Sequence, residues 1–247
     1  MKTFSKTDVG KRREMNQDYV YSSEQPVGNL PNLFIVADGM GGHQAGDYAS
    51  KYTVETLERL IRDSRLTEPA AILKEAVKQV NRMLLLEASE HEEMKGMGTT
   101  LVIATIDGNK MTVANVGDSR LYVVNQNISQ ITKDHSLVEE MVRMGEMDEE
   151  TAKGHPDKNI ITRAIGAVSD VTVDFFEVDL ASGDEVLMCT DGLTNMVEDV
   201  DIREIMKSQR DIAEQAERLV ETANENGGKD NITVIVIAPF SDEVKVC

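Results

Sequence analysis

Residues 100–131, TLVIATIDGNKMTVANVGDSRLYVVNQNISQI, constrain the fold more than any other part of the chain. Apolar and β-branched runs at 100–106, 111–116, 121–124 and 128–131 are divided by turn residues. Asp107-Gly108 separates the first pair and Asn125-Gln126-Asn127 the second. Connections that short join only antiparallel neighbours. Further strand signals lie at 4–9, 18–22, 33–37, 173–178, 185–190 and 232–237. Helical spacing appears at Ala49, Thr53, Leu57, Leu60, then at Leu73, Val77, Val80, Leu84, and again at Ile212, Ala216, Leu219, Ala223. Each of these helices has one apolar face to lay on a sheet. Ser136 and Glu139 form a capping box that opens a short helix inside a segment, 134–170, with little strand signal. The expected architecture is α+β: a central antiparallel β-sandwich covered by helices.

Composition sets the outer limits. The 247 residues are 40% apolar and 28% charged, and no Pro/Gly/Ser-rich linker divides them. One domain over 1–241 with a short tail, 242–247, is expected. The longest apolar run, 232–238, falls far short of the roughly 18 residues of a spanning helix. The first fifteen residues lack the apolar core of a secretory leader, so the expected location is the cytoplasm, without membrane insertion. Cys189 and Cys247 are then expected to be reduced. A net charge of −18, no Trp and 4% aromatics argue against nucleic acid as a partner. No heptad or sticky apolar helix demands a dimer, so a monomer is expected.

The stretch FIVADGMGGHQAG, residues 34–46, places three glycines just after an apolar strand. A dinucleotide loop needs a third glycine where Gln44 stands, and a phosphate loop needs a Gly-Lys-Ser/Thr that is missing. Asp38 would repel a phosphate unless a cation stood between them. The same pattern of strand and aspartate recurs at Asp191-Gly192 in VLMCTDGL, at Asp118 in TVANVGDSR, and at Asp230 just before ITVIVIA. A single Asp-Gly pair marks a turn. Four aspartates at strand ends can share one edge of an antiparallel sheet, and such oxygen donors suit Mg²⁺ or Mn²⁺.

REMNQD (13–18), DGMGGH (38–43), GTT (98–100), VGDSR (116–120), DHS (134–136), TRAIG (162–166), CTDGL (189–193) and KDN (229–231) occur in this order. Together they resemble the ordered motifs of the metal-dependent protein phosphatase 2C family, in particular its compact bacterial serine/threonine phosphatases. The resemblance implies two antiparallel sheets flanked by pairs of α-helices, and hydrolysis of phosphoserine and phosphothreonine in proteins. By resemblance Asp38 bridges two Mn²⁺ or Mg²⁺ ions, the Gly39 carbonyl assists one of them, and Asp191 and Asp230 hold the other positions. Asp118, with Asp191, resembles the site of a third, more weakly held ion, and Asp18 an acidic residue behind metal-bound water. Two cations about 3.5–4 Å apart can share a water, lower its pKa and aim it in line at phosphorus, so no protein nucleophile is needed.

Arg13 is suited to a bidentate grip on phosphate oxygens. His43 is the candidate general acid for the departing alkoxide, although some family members place a histidine directly after Asp-Gly, where this chain has Met40. His91, His135 and His155 are expected at the surface or in caps. Segment 134–170 matches the family's flap in position, and Arg163 is a candidate for holding the substrate or the flap. The alternatives are a metal-dependent phosphodiesterase or small phosphomonoesterase, and a catalytically silent phosphoprotein-binding module. By resemblance only, a membrane-bound Ser/Thr kinase and its phosphorylated targets are expected partners.

Overall fold

A computed structural model describes residues 1–42, 44–208 and 211–240. His43, Cys247 and the expected tail lie outside the described residues. The first half of the chain runs β1 (Lys2–Asp8), β2 (Asp18–Ser23), β3 (Leu33–Met40), α1 (Ala45–Arg62), α2 (Pro69–Glu90), β4 (Gly98–Thr99), β5 (Leu101–Asp107) and β6 (Lys110–Val116). The second half runs β7 (Arg120–Val124), β8 (Ile128–Gln130), α3 (Leu137–Arg143), α4 (Glu149–Lys153), β9 (Asp174–Asp179), β10 (Glu185–Cys189), α5 (Asp191–Thr194), α6 (Asp199–Ser208), α7 (Ile212–Glu225) and β11 (Ile232–Ala238).

Two antiparallel sheets form, one in the order β1-β11-β10-β7-β8 and the other β2-β3-β5-β6-β9, with β4 paired to β3. Side chains alternate across a strand, so a strand that is apolar on both faces must be covered on both. On β3, Phe34 and Val36 fill the space between the sheets, whereas Leu33, Ile35 and Ala37 pack with α1 and α2. On β11, Ile235 and Ile237 face the inter-sheet core, whereas Ile232, Val234 and Val236 pack with α5, α6 and α7. The layers are therefore helices, sheet, sheet, helices, as expected. Burying one such side chain stabilises the fold by about 1.5–3 kcal/mol.

The expected hairpins are present: β5 pairs β6 around Gly108, whose φ is +60°, and β7 pairs β8 around residues 125–127. The capping box holds, with Ser136 Oγ accepting from the Glu139 amide at 3.3 Å. Two readings change. β3 continues past Ala37 to Met40, so Asp38 and Gly39 lie inside the strand, because Asp18 and Thr99 supply register partners for them. The helices α4, α5 and α6 were not anticipated. α6 buries only Ile202 and Met206, one turn apart, in a sequence crowded with acids, which leaves a weak periodic signal.

Candidate active site

Antiparallel pairing brings the acidic strand ends to one edge. Cys189, the last residue of β10, pairs with Val234 on β11 and with Arg120 on β7. Asp191 just after β10, Asp230 just before β11 and Asp118 just before β7 therefore share that edge. In the other sheet Asp18 lies directly opposite Asp38. Thr190 joins the two sheets: its Oγ1 donates to Asp18 Oδ2 at 2.9 Å and accepts from the Thr233 amide at 3.0 Å.

The backbone around each aspartate is tightly set. Asp38 donates its amide to Thr100 Oγ1 at 2.9 Å, and its carbonyl accepts from the Thr100 amide and Thr99 Oγ1, both at 2.9 Å. The glycines that follow Asp38 and Asp191 stand where another backbone passes. A Cβ on Gly39 would lie 1.9 Å from the Gly46 carbonyl oxygen, and one on Gly192 would lie 1.8 Å from that of Asn231. Asn231, to which the sequence reading assigned no role, braces the loop carrying Arg13. Its Nδ2 donates to the Val9 and Met15 carbonyls at 3.0 and 2.9 Å, and its Oδ1 accepts from the Gln17 amide at 2.9 Å. Arg13 Nη2 then donates to Asp230 Oδ2 at 2.7 Å, and that hydrogen bond leads the causes that raise the guanidinium pKa.

The cluster is electrostatically unsatisfied. Burial first, and neighbouring carboxylates after it, push Asp38 well above the usual carboxylate range. Burial likewise lifts Asp18 to about 7, Asp118 to about 8 and Asp191 to about 6. Asp18 and Asp191 each keep one buried oxygen, Oδ1, without a hydrogen-bond partner. Buried carboxylates that repel one another and leave lone pairs unused are a fit for a hard cation. Among the described residues no three His, Cys, Asp or Glu side chains close on a single point.

Not every expected residue belongs to this cluster. Arg163 Nη1 is 3.0 Å from Asp174 Oδ1 in an ion pair, away from the metal-candidate aspartates in its bonding. His135 is not at the surface: it is 4% exposed, with Nδ1 accepting from the Gly117 amide at 3.0 Å and Nε2 3.0 Å from Asp174 Oδ2. Its partners stand 18 and 39 residues away, so nothing local in the sequence marks it. His91 is exposed, and His155 Nδ1 accepts from the Asp157 amide, both in line with expectation. A polar cleft of about 400 Å³ is lined by Asp118 and Asp191 together with Ser136, Lys158 and Asn195. A cleft of about 340 Å³ near Pro69, Lys110 and Glu177 contains none of the site residues. No helix among the described residues is long and apolar enough to cross a membrane.

Known proteins carry the same arrangement of sequence and fold. The family described as Protein phosphatase 2C matches residues 10–234. The chain is 42% identical over 241 residues to the serine/threonine phosphatase stp of Listeria monocytogenes, covering 94% of this chain and 93% of that protein. The crystal structure of serine/threonine phosphatase Stp1 from Staphylococcus aureus superposes with a TM-score of 0.89 at 37% identity, over 95% of this chain and 93% of that one. The catalytic domain of serine threonine protein phosphatase PstP, solved in complex with two manganese ions, superposes with a TM-score of 0.84 at 33% identity, over 95% and 96% of the two chains. The chain belongs to the protein phosphatase 2C family. Its activity is that of a metal-dependent serine/threonine protein phosphatase.

Proposed function

We propose that the acidic end of the sandwich removes phosphate from seryl and threonyl side chains of proteins in one displacement by water, within a single catalytic domain spanning 1–241. The observation that carries this reading is the meeting of buried carboxylates from both sheets, with Asp18 Oδ1 and Asp191 Oδ1 left without protein partners. Asp38, Asp191 and Asp230 would hold two divalent ions, Mn²⁺ or Mg²⁺, with the Gly39 carbonyl as a further donor. Asp118 and Asp191 would hold a third, and Asp18 would orient the water around them. When bound, such ions lower the pKa of water and neutralise charge on the phosphate.

The remaining work falls to the chain itself. Arg13, anchored by Asp230, keeps half of its side chain exposed and binds the phosphate oxygens. His43 delivers a proton to the departing seryl or threonyl oxygen. Cys189 takes no part as a nucleophile: it is buried, and burial pushes its thiol up to about 12. Arg163, paired with Asp174, holds the 134–170 segment beside the cleft. The enzyme acts in the cytoplasm as a monomer, on phosphorylated proteins that include a membrane-bound Ser/Thr kinase and its targets.

The test is turnover of a phosphothreonine peptide after exhaustive EDTA treatment and after addition of Mn²⁺ or Mg²⁺. Loss and recovery are expected, and full activity in the metal-free protein would sink the reading. Asp38→Ala or Asp191→Ala is expected to lower kcat by at least about 10³, more than the usual loss of one positioned hydrogen-bond donor. Near-normal turnover in a folded Asp38→Ala protein would remove Asp38 from its bridging role.

A further inference from the structure

Asp118 sits in a turn that one dipeptide, Asp134-His135, clamps from both sides. Before Asp118, the Gly117 amide donates to His135 Nδ1 at 3.0 Å, and the His135 amide donates back to the Gly117 carbonyl at 3.0 Å. After it, Arg120 grips Asp134 through Nε and Nη2, the shortest contact being 2.7 Å. Between them, Ser119 Oγ shares a hydrogen bond of 2.8 Å with Thr100 Oγ1, the atom that also receives the Asp38 amide. Gly117 adds its own restraint. Its φ is +108°, and a Cβ there would lie 2.7 Å from Thr100.

The other face of His135 holds the base of the 134–170 segment. Its carbonyl accepts from the Thr162 amide at 2.7 Å. Its ring reaches Asp174 Oδ2, whose partner oxygen accepts from Arg163 at 3.0 Å. A backbone amide can only donate, so Nδ1 must be the unprotonated nitrogen and Nε2 the one that donates to Asp174. Arg163 Nη1, 3.2 Å from Nε2, therefore cannot donate to the ring and donates to Asp174 Oδ1 at 3.0 Å. One imidazole in one tautomer thus fixes a metal-candidate turn on one side and, on the other, the carboxylate that holds Arg163.

We propose that His135 is a positioning residue that sets Asp118 and the 134–170 segment in one joint arrangement, so that the hold of Asp118 on a divalent ion depends on the His135–Asp174 hydrogen bond. The proposal rests on the reading of Asp118 as an ion-holding residue. Being 4% exposed, His135 acts through its neighbours.

Mn²⁺ binding to the full chain, followed by calorimetry, and amide exchange at Gly117 and Thr162 test it without any turnover. Asparagine places an acceptor where Nδ1 stands, and glutamine places a donor where Nε2 stands, so two variants separate the two arms. His135→Gln is expected to lose roughly tenfold in Mn²⁺ affinity at the weakest site, the range for residues that orient a metal ligand. The tighter sites stay unchanged in this variant, and protection of the Gly117 amide falls. His135→Asn is expected to retain Gly117 protection and to lose the same Mn²⁺ affinity through its broken link to Asp174. Asp174→Ala, on a partly exposed residue beyond the ring, should reproduce that loss in a chain that keeps its fold.

Wild-type Mn²⁺ binding in Asp174→Ala, or an equal weakening of all sites in His135→Gln, would overturn the proposal in favour of a purely structural histidine. Asp118→Ala is the reference. If it weakens Mn²⁺ binding while the His135 variants do not, the proposal fails alone. If it leaves the isotherm unchanged, the reading of Asp118 fails and the proposal with it.

Discussion

The roles proposed for Arg13 and His43 separate phosphate binding from proton delivery, and the separation can be measured. Arg13 meets Asp230 through Nη2, and with half of the side chain exposed it has donors left for an incoming phosphate. If it grips ground state and transition state about equally, Arg13→Ala raises KM for phosphopeptides and leaves kcat nearly unchanged. An unaltered KM would reject that role. His43→Ala should lower kcat on a phosphothreonine peptide by roughly 10²–10³, as removal of a general acid does. The loss should be much smaller on p-nitrophenyl phosphate, because a phenolate leaves without a proton. Equal losses on both substrates would take His43 out of the acid role.

Among elements, the junction of α5 with β11 is the tightest part of the site. Gly192, the second residue of α5, abuts the Asn231 carbonyl, and Asp191 and Asp230 immediately precede these two residues in the chain. Gly192→Ala must part the two backbones, so it should destabilise the fold by about 1–3 kcal/mol, as overpacking does. It should weaken Mn²⁺ activation in the same protein, because both aspartates move. Denaturant unfolding that matches the wild type would show that the junction yields without cost. The strands were legible in the sequence because apolar runs, turn residues and the two hairpin signals all state the same local message. That Asp38, Asp118, Asp191 and Asp230 gather in one region was legible because an aspartate beside an apolar run recurs in the sequence. α6 was not, since only Ile202 and Met206 mark its buried face and acids surround them. His135 and Asn231 were not, since their roles exist only through partners distant in the chain.

At the scale of the whole molecule, the buried carboxylates make stability depend on pH. Their folded pKa values are raised, so their contribution is fully present below the ordinary carboxylate range and is lost as pH rises through about 6 for Asp191, 7 for Asp18 and 8 for Asp118. His135 has the opposite sign: burial lowers its pKa, so its contribution is complete above the ordinary histidine value of about 6.5 and fades below it. Between pH 6.5 and 8.5 the carboxylates therefore dominate. Tm of the EDTA-treated protein should fall across that interval, and saturating Mn²⁺ should remove most of the fall. A flat Tm in the metal-free protein would contradict the burial of these groups. The pairing of β1 with β11 bears on the whole molecule in another way, through synthesis. The chain leaves the ribosome N-terminal end first, and a domain folds as a unit. Here Asp18 and Asp38 emerge early, but Asp230 and its strand come about 190 residues later, and the first strand has no β11 to pair with until then. A nascent chain with only its early strands in place lacks the last carboxylate and the anchor of Arg13. With Asp230 and Arg13 in their proposed roles, dephosphorylation waits until the chain is complete, and the appearance of activity reports that the sandwich has closed.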